Sequence, residues 1–452
     1  MTDFANVDGY LEEHLLQSIE ELSRLCAQPS VSAQNWGLQE CAALVAEMLR
    51  TRGFEVDLFA TQGAPVVFAE RKGRSDKTLL FYNHYDVQPA EPLELWDNPP
   101  FSPVLKDGKL FARGVSDDKG HFVSRLFALD ALLAAEGELP CTVKFVVEGE
   151  EETSSAHLRE FMEAQAGRLA ADGCIWEFGG VDANDRPMQY LGLRGICYVQ
   201  LSVQTANQDV HSGLGGSIFP NAAWRLVWAL ASLKGADEQV RIPGFYDAVR
   251  APSERDRQLM AALPDNGPFY RQQYGVERFL HGVEGGLALS LAEVFQPTCT
   301  ICGLTAGYQG EGAKTVLPAR ASAKVDFRLV PDQRPEEIVQ LLRAYLDAQG
   351  FNDVCVEVLG AEAPARTDPD DPFVRLVVET AQDVYGQPMQ IVPMVGGSGP
   401  NHLFMETIGA PIVTAGVGYP GALAHAPNEN LRLDLYLKGA RHIARILKAF
   451  SV

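Results

Sequence analysis

Nowhere in the 452-residue chain do apolar residues run for the ~20 positions that a membrane-crossing helix needs. The opening segment, MTDFANVDGYLEEHLL, is acidic and lacks a basic stretch followed by an apolar core, so no secretory leader is visible. Positive charge is short as well: 38 lysines and arginines face 59 acids, a formal net charge of −21. Such a balance repels a phosphate backbone and disfavours nonspecific nucleic-acid binding. The expectation is a soluble, cytoplasmic protein with neither a membrane nor a nucleic-acid partner. Its 8 cysteines are too sparse for a disulfide scaffold. Cys299 and Cys302 form a CxxC within PTCTICGLTAG, but no second CxxC or nearby HxxxH completes a tetrahedral zinc set. An apolar strand carrying two thiols is expected there. Internal repeats and low-complexity tracts are absent. GEGAKT at 310–315 fails as a phosphate-binding loop, because Ala313 stands where glycine is required.

What remains is ordinary globular composition, 46% hydrophobic and 21% charged, in a length that suits two or three domains. Leu11, Leu15, Ile19, Leu22 and Leu25 recur at spacings of three and four, which predicts one helix over 7–27. A second helix is predicted over 37–52. Short apolar runs at 66–71, 78–83 and 142–148 read as strands, with a helix at 119–136 between the last two. That alternation predicts an α/β sheet covered by helices on both faces. The middle of the chain reads as strand 195–205, helix 219–234, strands 297–306 and 320–330, helix 335–350 and strand 353–359. This β-α-β-β-α-β order is that of a split, ferredoxin-like unit. The α/β rhythm returns with helix 371–386, strand 389–395, helix 401–409, strand 411–417 and a final helix over 431–450. One α/β domain, split in sequence by an inserted α+β unit, is the simplest architecture. Residues 235–296 fit neither pattern and are read as an insertion within the second domain.

Five places follow an apolar strand or turn with an acid or an imidazole, at the sheet edge where open α/β folds bind ligands. LLFYNHYDVQP presents His84 and Asp86 on one face, so that Asp86 could bond the imidazole and set its tautomer. GKLFARGVSDDKG carries Asp117, Asp118 and Lys119. VKFVVEGEEETSS crowds Glu148, Glu150, Glu151 and Glu152 at a strand end. GCIWEF ends in Glu177, and GALAHAPNE holds His425. Each alone has a plain structural explanation: a turn, a helix N-terminus, a solvated acidic face. Together they crowd acids whose repulsion only a cation would offset. Two divalent ions held by three carboxylates and two neutral imidazoles keep one net positive charge, enough to acidify a bridging water. A spare carboxylate beside them could move its proton to a leaving amine.

The ordered motifs NHYDVQP, ARGVSDDKG, EGEEETSS, GLRGICY, DVHSGLGGS and GAKTVLP resemble the M20 family of metallopeptidases, in particular its cytosolic nonspecific dipeptidase and carnosinase branch. The resemblance runs from about residue 10 to 450. It implies a mixed-sheet catalytic domain in two parts, 1–192 and 362–452, with an inserted ferredoxin-like lid and dimerisation domain over 193–361. The implied activity is cleavage of the amide bond of dipeptides or short peptides, using two divalent ions. Zinc or manganese suits the ligands, and cobalt is compatible. Asp117 would bridge the ions, with His84 and Glu177 on one and Glu152 and His425 on the other. Glu151 would be the general base, and Asp86 would orient His84. The resemblance also implies a cis peptide after Asp117. His211 of DVHSG would reach the neighbouring protomer's site in a homodimer, and Arg328 of FRLVP would take the substrate's carboxylate. Thr315 and the turn Gly396, Gly397, Ser398 would line the substrate.

The chain departs from the pattern in three places. Ser154 replaces a glycine, Glu177 stands where this branch has aspartate, and Ala361 replaces a histidine near the end of the lid. The last leaves open a different substrate, an N-acyl or N-succinyl amino acid, cleaved by the same chemistry. His14, His121, His157, His281, His402 and His442 match no ligand position and are read as ordinary helix or loop residues.

Overall fold

A computed structural model describes residues 4–452, which divide into two compact units. One holds the residues up to Leu191 together with Thr367–Pro393 and Leu403–Val452. The other holds Gly192–Arg366 with Met394–His402. No described helix is long and apolar enough to cross a membrane.

The first unit is built on a six-stranded mixed sheet. Its spatial order is Glu55–Phe59, Val66–Arg71, Cys141–Glu148, Ser75–His84, Gly173–Trp176, Ile412–Thr414. The first three strands are antiparallel neighbours, and from Cys141–Glu148 onward the pairing is parallel. The twofold alternation of side chains explains why the inner strands read as continuous apolar runs, both faces being covered, whereas the edge strand Glu55–Phe59 is exposed and is not among the strands expected from the sequence. Val67, Leu79, Phe81, Val143 and Phe145 join the helices Lys119–Glu136 and Leu433–Phe450 in one core. Val66, Phe68, Leu80, Tyr82 and Val146 join Leu158, Phe161 and Met162 of the helix Leu158–Leu169 in the other. The helix Lys119–Glu136 is buried on nearly every side, which is why its sequence carries so little polar face.

The single helix expected over 7–27 is two, Ala5–Glu13 and Leu15–Ala27. They break at His14, whose backbone sits at φ −103° and ψ 12°. Its Nδ1 turns back to within 3.0 Å of the Tyr10 carbonyl and its ring stacks on Tyr10 at 4.0 Å. Apolar spacing cannot register such a local side-chain bond.

The second unit carries four strands in the spatial order Thr300–Ala306, Arg320–Leu329, Gly195–Gln204, Cys355–Glu362, every neighbour antiparallel. The helices Ala222–Leu233 and Pro335–Ala348 cover one face, closing a core that includes Val199, Leu201, Leu226, Val325, Phe327 and Leu342. Residues 235–296 contain the helices Glu254–Ala261, Gly267–Tyr274 and Gly286–Phe295. These are too short for a helical period to stand out in sequence; the first and third meet at a small cluster of Met260, Val294, Phe295 and Met394, and Tyr270 of the second donates to Glu293 of the third. Cys299 is buried and Cys302 exposed, both as free thiols.

His442 reports on the packing of the first unit. It is fully buried, and Nε2 lies 3.0 Å from the Val377 carbonyl, which accepts its proton. Burial pushes its pKa down to about 4. An unfolded chain binds a proton at an ordinary imidazole below pH about 6.5. As pH falls from there toward 4, the unfolded state therefore gains a proton that the folded state refuses, and stability is lost at up to about tenfold in the folding equilibrium per pH unit. In urea melts over this window, wild type should lose stability more steeply than His442→Gln.

Candidate active site

Because Cys141–Glu148, Ser75–His84 and Gly173–Trp176 run parallel, their carboxyl ends open on one sheet edge. His84 and Glu148 are the last residues of their strands and face each other in register. Glu177 follows Trp176 directly, and Glu151–Thr153 form a short 3-10 turn after Glu148. Asp117 lies at the entrance to the helix Lys119–Glu136, and its peptide bond to Asp118 is cis, as the resemblance implies. His425 comes from the long loop before the strand Asn430–Arg432. Its φ is +63°, a left-handed conformation uncommon for a residue with a side chain.

Asp117 is the centre of the arrangement. Its Oδ1 lies 3.0 Å from His84 Nε2 and its Oδ2 lies 2.9 Å from His425 Nε2. The same His425 nitrogen is 3.2 Å from Glu152 Oε2. Donor atoms of His84, Asp117 and Glu152 all lie within 4.8 Å of one another. Each Asp117 oxygen thus serves a different histidine.

A layer of buried polar groups holds these side chains in place. Asp118 accepts hydrogen bonds from Asn83 Nδ2 at 2.5 Å and from the His84 backbone N–H at 3.2 Å, tying the two loops together. Glu429 accepts from the N–H groups of Gly114, Ser116 and Asp117 and from Arg113 Nη1, all between 2.8 and 3.0 Å. Arg125 donates to the carbonyls of Tyr82 and Glu177 and to Asn83 Oδ1, clamping the ends of two strands. Gln88 donates to Glu152 Oε2 at 2.8 Å.

Asp86 lies beside His84, as expected, and has a second set of partners. His84 Nδ1 lies 3.0 Å from the backbone carbonyl of Asp86 and 3.4 Å from its carboxylate. The carboxylate instead receives the backbone N–H groups of Glu151 at 3.2 Å and Glu152 at 3.1 Å. Asp86 therefore holds the glutamate turn as much as the imidazole. Glu150 is drawn away by His157, whose Nδ1 is 2.8 Å from it, and Glu148 is enclosed by Tyr82 and Ser155 hydroxyls.

The electrostatics test whether cations fit. Burial, reinforced by Glu152, Asp117 and Asp86 against the opposing pull of His84, pushes the Glu151 carboxyl up to about 8. Burial and the neighbouring Glu151 raise Glu177 well above the carboxylate range, and Glu177 Oε2 is buried without a hydrogen-bond partner. Burial would also raise Asp117, but hydrogen bonds from His425 and His84 outweigh it and hold Asp117 low. Hydrogen bonds to Asp117 and Glu152 bring His425 up to about 10. Protons thus fill the place of positive charge between imidazoles and carboxylates. The donor set of imidazole nitrogens, carboxylate oxygens and one orphaned buried oxygen suits divalent cations in those positions.

The remaining predicted residues lie in the second unit. Arg328 Nη1 donates to Ser398 Oγ at 2.9 Å and Nε to Asp326 Oδ2 at 3.0 Å, and Gly397 adjoins Ser398. His211 pairs through its strand with Val316, next to Thr315, whose carbonyl accepts from the Ser212 N–H. His211 Nδ1 accepts from the Gly213 N–H at 3.0 Å, so the ring proton sits on Nε2, on an exposed side chain. Glu429, Asn83, Arg113 and Arg125 escaped the sequence reading. Glu429 stood inside GALAHAPNE, beside His425, but nothing in a sequence marks which acid will be buried.

Parallel strand ends, an aspartate shared by two histidines and a crowd of buried acids define a metal-dependent hydrolase. The profile of peptidase family M20/M25/M40 matches residues 80–449, and the chain belongs to this family. It is a metallopeptidase. The Beta-Ala-His dipeptidase of Rattus norvegicus is 26% identical, covering 98% of this chain and 94% of its own. The Cys-Gly metallodipeptidase of Saccharomyces cerevisiae is 28% identical over 86% of this chain and 82% of its own. The crystal structure of an M20 family metallo-carboxypeptidase from Sulfolobus solfataricus superimposes with a TM-score of 0.91 at 36% identity, covering 96% of this chain and 99% of that one.

Changing Glu429 to Gln places an amide N–H₂ against three backbone donors. Metal affinity should fall by about 10–100-fold, as for other groups that orient ligands. Competition with a chelator measures this, with circular dichroism verifying the fold.

Proposed function

We propose that the chain is a dinuclear peptidase that cleaves dipeptides or other short peptides. The observation that carries the reading is Asp117, whose two oxygens face His84 Nε2 and His425 Nε2 separately. Asp117 would bridge two ions, zinc or manganese, with His84 and Glu177 completing one and Glu152 and His425 the other. Ions held there would supply Lewis-acid polarisation of a carbonyl and a lowered pKa for a water. Glu151 is the general base: its carboxylate takes a proton from the attacking water and returns it to the leaving amine. Asp86 supports that step by fixing the Glu151 and Glu152 backbone. Arg328, with Ser398 beside it, suits a planar carboxylate at the substrate's C-terminal end, and Thr315 and Gly397 line the substrate.

We read the Gly192–Arg366 unit as a ferredoxin-like lid through which two copies pair, His211 Nε2–H donating to the developing oxyanion in the partner's site. Its strand order supports this, as does an exposed apolar strip on the helix Ala222–Leu233, where Trp224 and Trp228 stack and Val227 adjoins them. That relatives of this chain are dipeptidases supports the dipeptide reading over N-acyl or N-succinyl amino acids. The metallo-carboxypeptidase likeness favours trimming of longer peptides from the C-terminus as the second reading.

The test is hydrolysis of a panel of dipeptides, longer peptides and N-acyl amino acids, before and after chelation and with zinc or manganese restored. Metal-dependent cleavage of dipeptides is expected; cleavage of acyl amino acids alone would overturn the substrate. Glu151→Gln should lower kcat by roughly 10²–10⁴-fold while metal content is unchanged. His211→Ala should lower kcat by roughly 10²–10³-fold, again with metal retained. Mixing the two variants should restore part of the activity if His211 serves the neighbouring protomer. Trp224→Glu with Trp228→Glu should convert a dimer to a monomer in light scattering.

A further inference from the structure

Arg194, in the GLRGICY motif, is a buried arginine for which the reaction has no use. It is only 6% exposed, yet its bonds run to three separate places. Its backbone N–H donates to the Gly397 carbonyl at 2.9 Å, inside the turn that carries Ser398. Its Nη1 donates to the Glu293 carbonyl at 2.9 Å and its Nη2 to the Gln296 carbonyl at 2.6 Å. These carbonyls belong to the end of the helix Gly286–Phe295, where the last backbone acceptors have no partner within the helix and carry its negative dipole end. A cationic fork therefore satisfies both groups at once. Nη2 also approaches the Arg328 carbonyl at 3.4 Å.

The Arg328 end of its strand is gripped from the other side by the segment that follows that helix. Thr298 donates its N–H to the Arg328 carbonyl at 3.0 Å, and its Oγ1 accepts the Arg328 N–H at 3.3 Å. Between the helix end at Phe295 and Thr298 lie only Gln296 and Pro297. The backbone of Arg328 is thus fastened to the helical insertion twice, once directly and once through Arg194. The Ser398 turn is fastened to the same arginine.

We infer that Arg194 is a positioning residue for substrate-carboxylate recognition: it sets the spacing of Arg328 and Ser398, and uses the helix Gly286–Phe295 as its brace. The inference rests on the reading of Arg328 and Ser398 as the carboxylate site. It also gives the inserted helices a task. A planar fork must meet a carboxylate within a few tenths of an ångström to make both bonds, so a loosened backbone at Arg328 costs recognition before it costs chemistry.

The experiment compares kcat and KM for a free-acid peptide cleaved by the wild type with those for its C-terminal amide. Arg194→Met, Arg194→Lys and Thr298→Val are set beside Arg328→Met. Arg52→Met serves as a control for lost stability, since Arg52 is a half-buried arginine paired with Glu21 and Asp130 in the first unit. The preference of kcat/KM for the free acid should fall about tenfold or more in Arg194→Met, through KM, while kcat for the amide holds within about twofold. Arg194→Lys and Thr298→Val should fall between it and wild type, and Arg52→Met should melt earlier with the preference intact. If Arg194→Met does not fold, Thr298→Val and Arg194→Lys decide. An unchanged preference in these variants, with the preference lost in Arg328→Met, overturns the role of Arg194 alone. An unchanged preference in Arg328→Met, or no cleavage of any free acid by wild type, overturns the carboxylate reading and this inference with it.

Discussion

The mutual repulsion of buried acids is the constraint around which the first unit is arranged. Asp117, the neighbouring pair Glu151 and Glu152, and Glu177 come from three separate segments, and the parallel strands deliver them to one edge. In water such a group would spread out; here the sheet and its two covering layers forbid it. Burial adds a second penalty, visible in the raised carboxyls of Glu151 and Glu177. Positive charge placed among them relieves both penalties, and the two imidazoles facing Asp117 add neutral donor atoms that suit a cation. The edge that makes the fold least comfortable is therefore the edge that selects a metal.

A separate layer of buried residues holds that edge. Asp118, Glu429, Arg113 and Arg125 touch backbone groups of the strands and loops that carry the candidate ligands, and Asn83 links Asp118 to Arg125. Each is buried, and Glu429, Arg113 and Arg125 bond N–H or C=O groups that the loops and strand ends would otherwise leave orphaned. Asp86 joins this layer, because its carboxylate orders the turn bearing the proposed base. The same economy recurs in the second unit, where Arg194 closes a helix end and anchors a strand end together.

Much of this was legible before any coordinates. The strands, the long helices and the split of the α/β pattern follow from apolar periodicity, because a sheet covered on both faces needs continuous apolar runs. His84, Asp117, Glu152 and His425 could be named from motifs, since each sits just past a strand or beside a turn. The break at His14 could not be read, because a side chain that bonds its own helix leaves the spacing of leucines intact. The three short helices within 235–296 also stayed hidden, since 8 to 10 residues each bury too few apolar side chains to show an amphipathic stripe.

The sequence by itself determined which residue types reach the strand ends, and with them the class of chemistry, since local periodicity and local motifs suffice for both. Which acids become structural and which are left for metal was decided only by the tertiary structure. Glu148, Glu150, Glu151 and Glu152 are near neighbours in the chain, yet one is enclosed by hydroxyls, one is drawn off by His157, one has its carboxyl raised by burial among other acids and one faces His425. Glu429 and Arg194 are likewise ordinary charged residues until distant backbone groups converge on them. A carboxylate's role depends on what surrounds it in space, and those surroundings come from segments far apart in sequence.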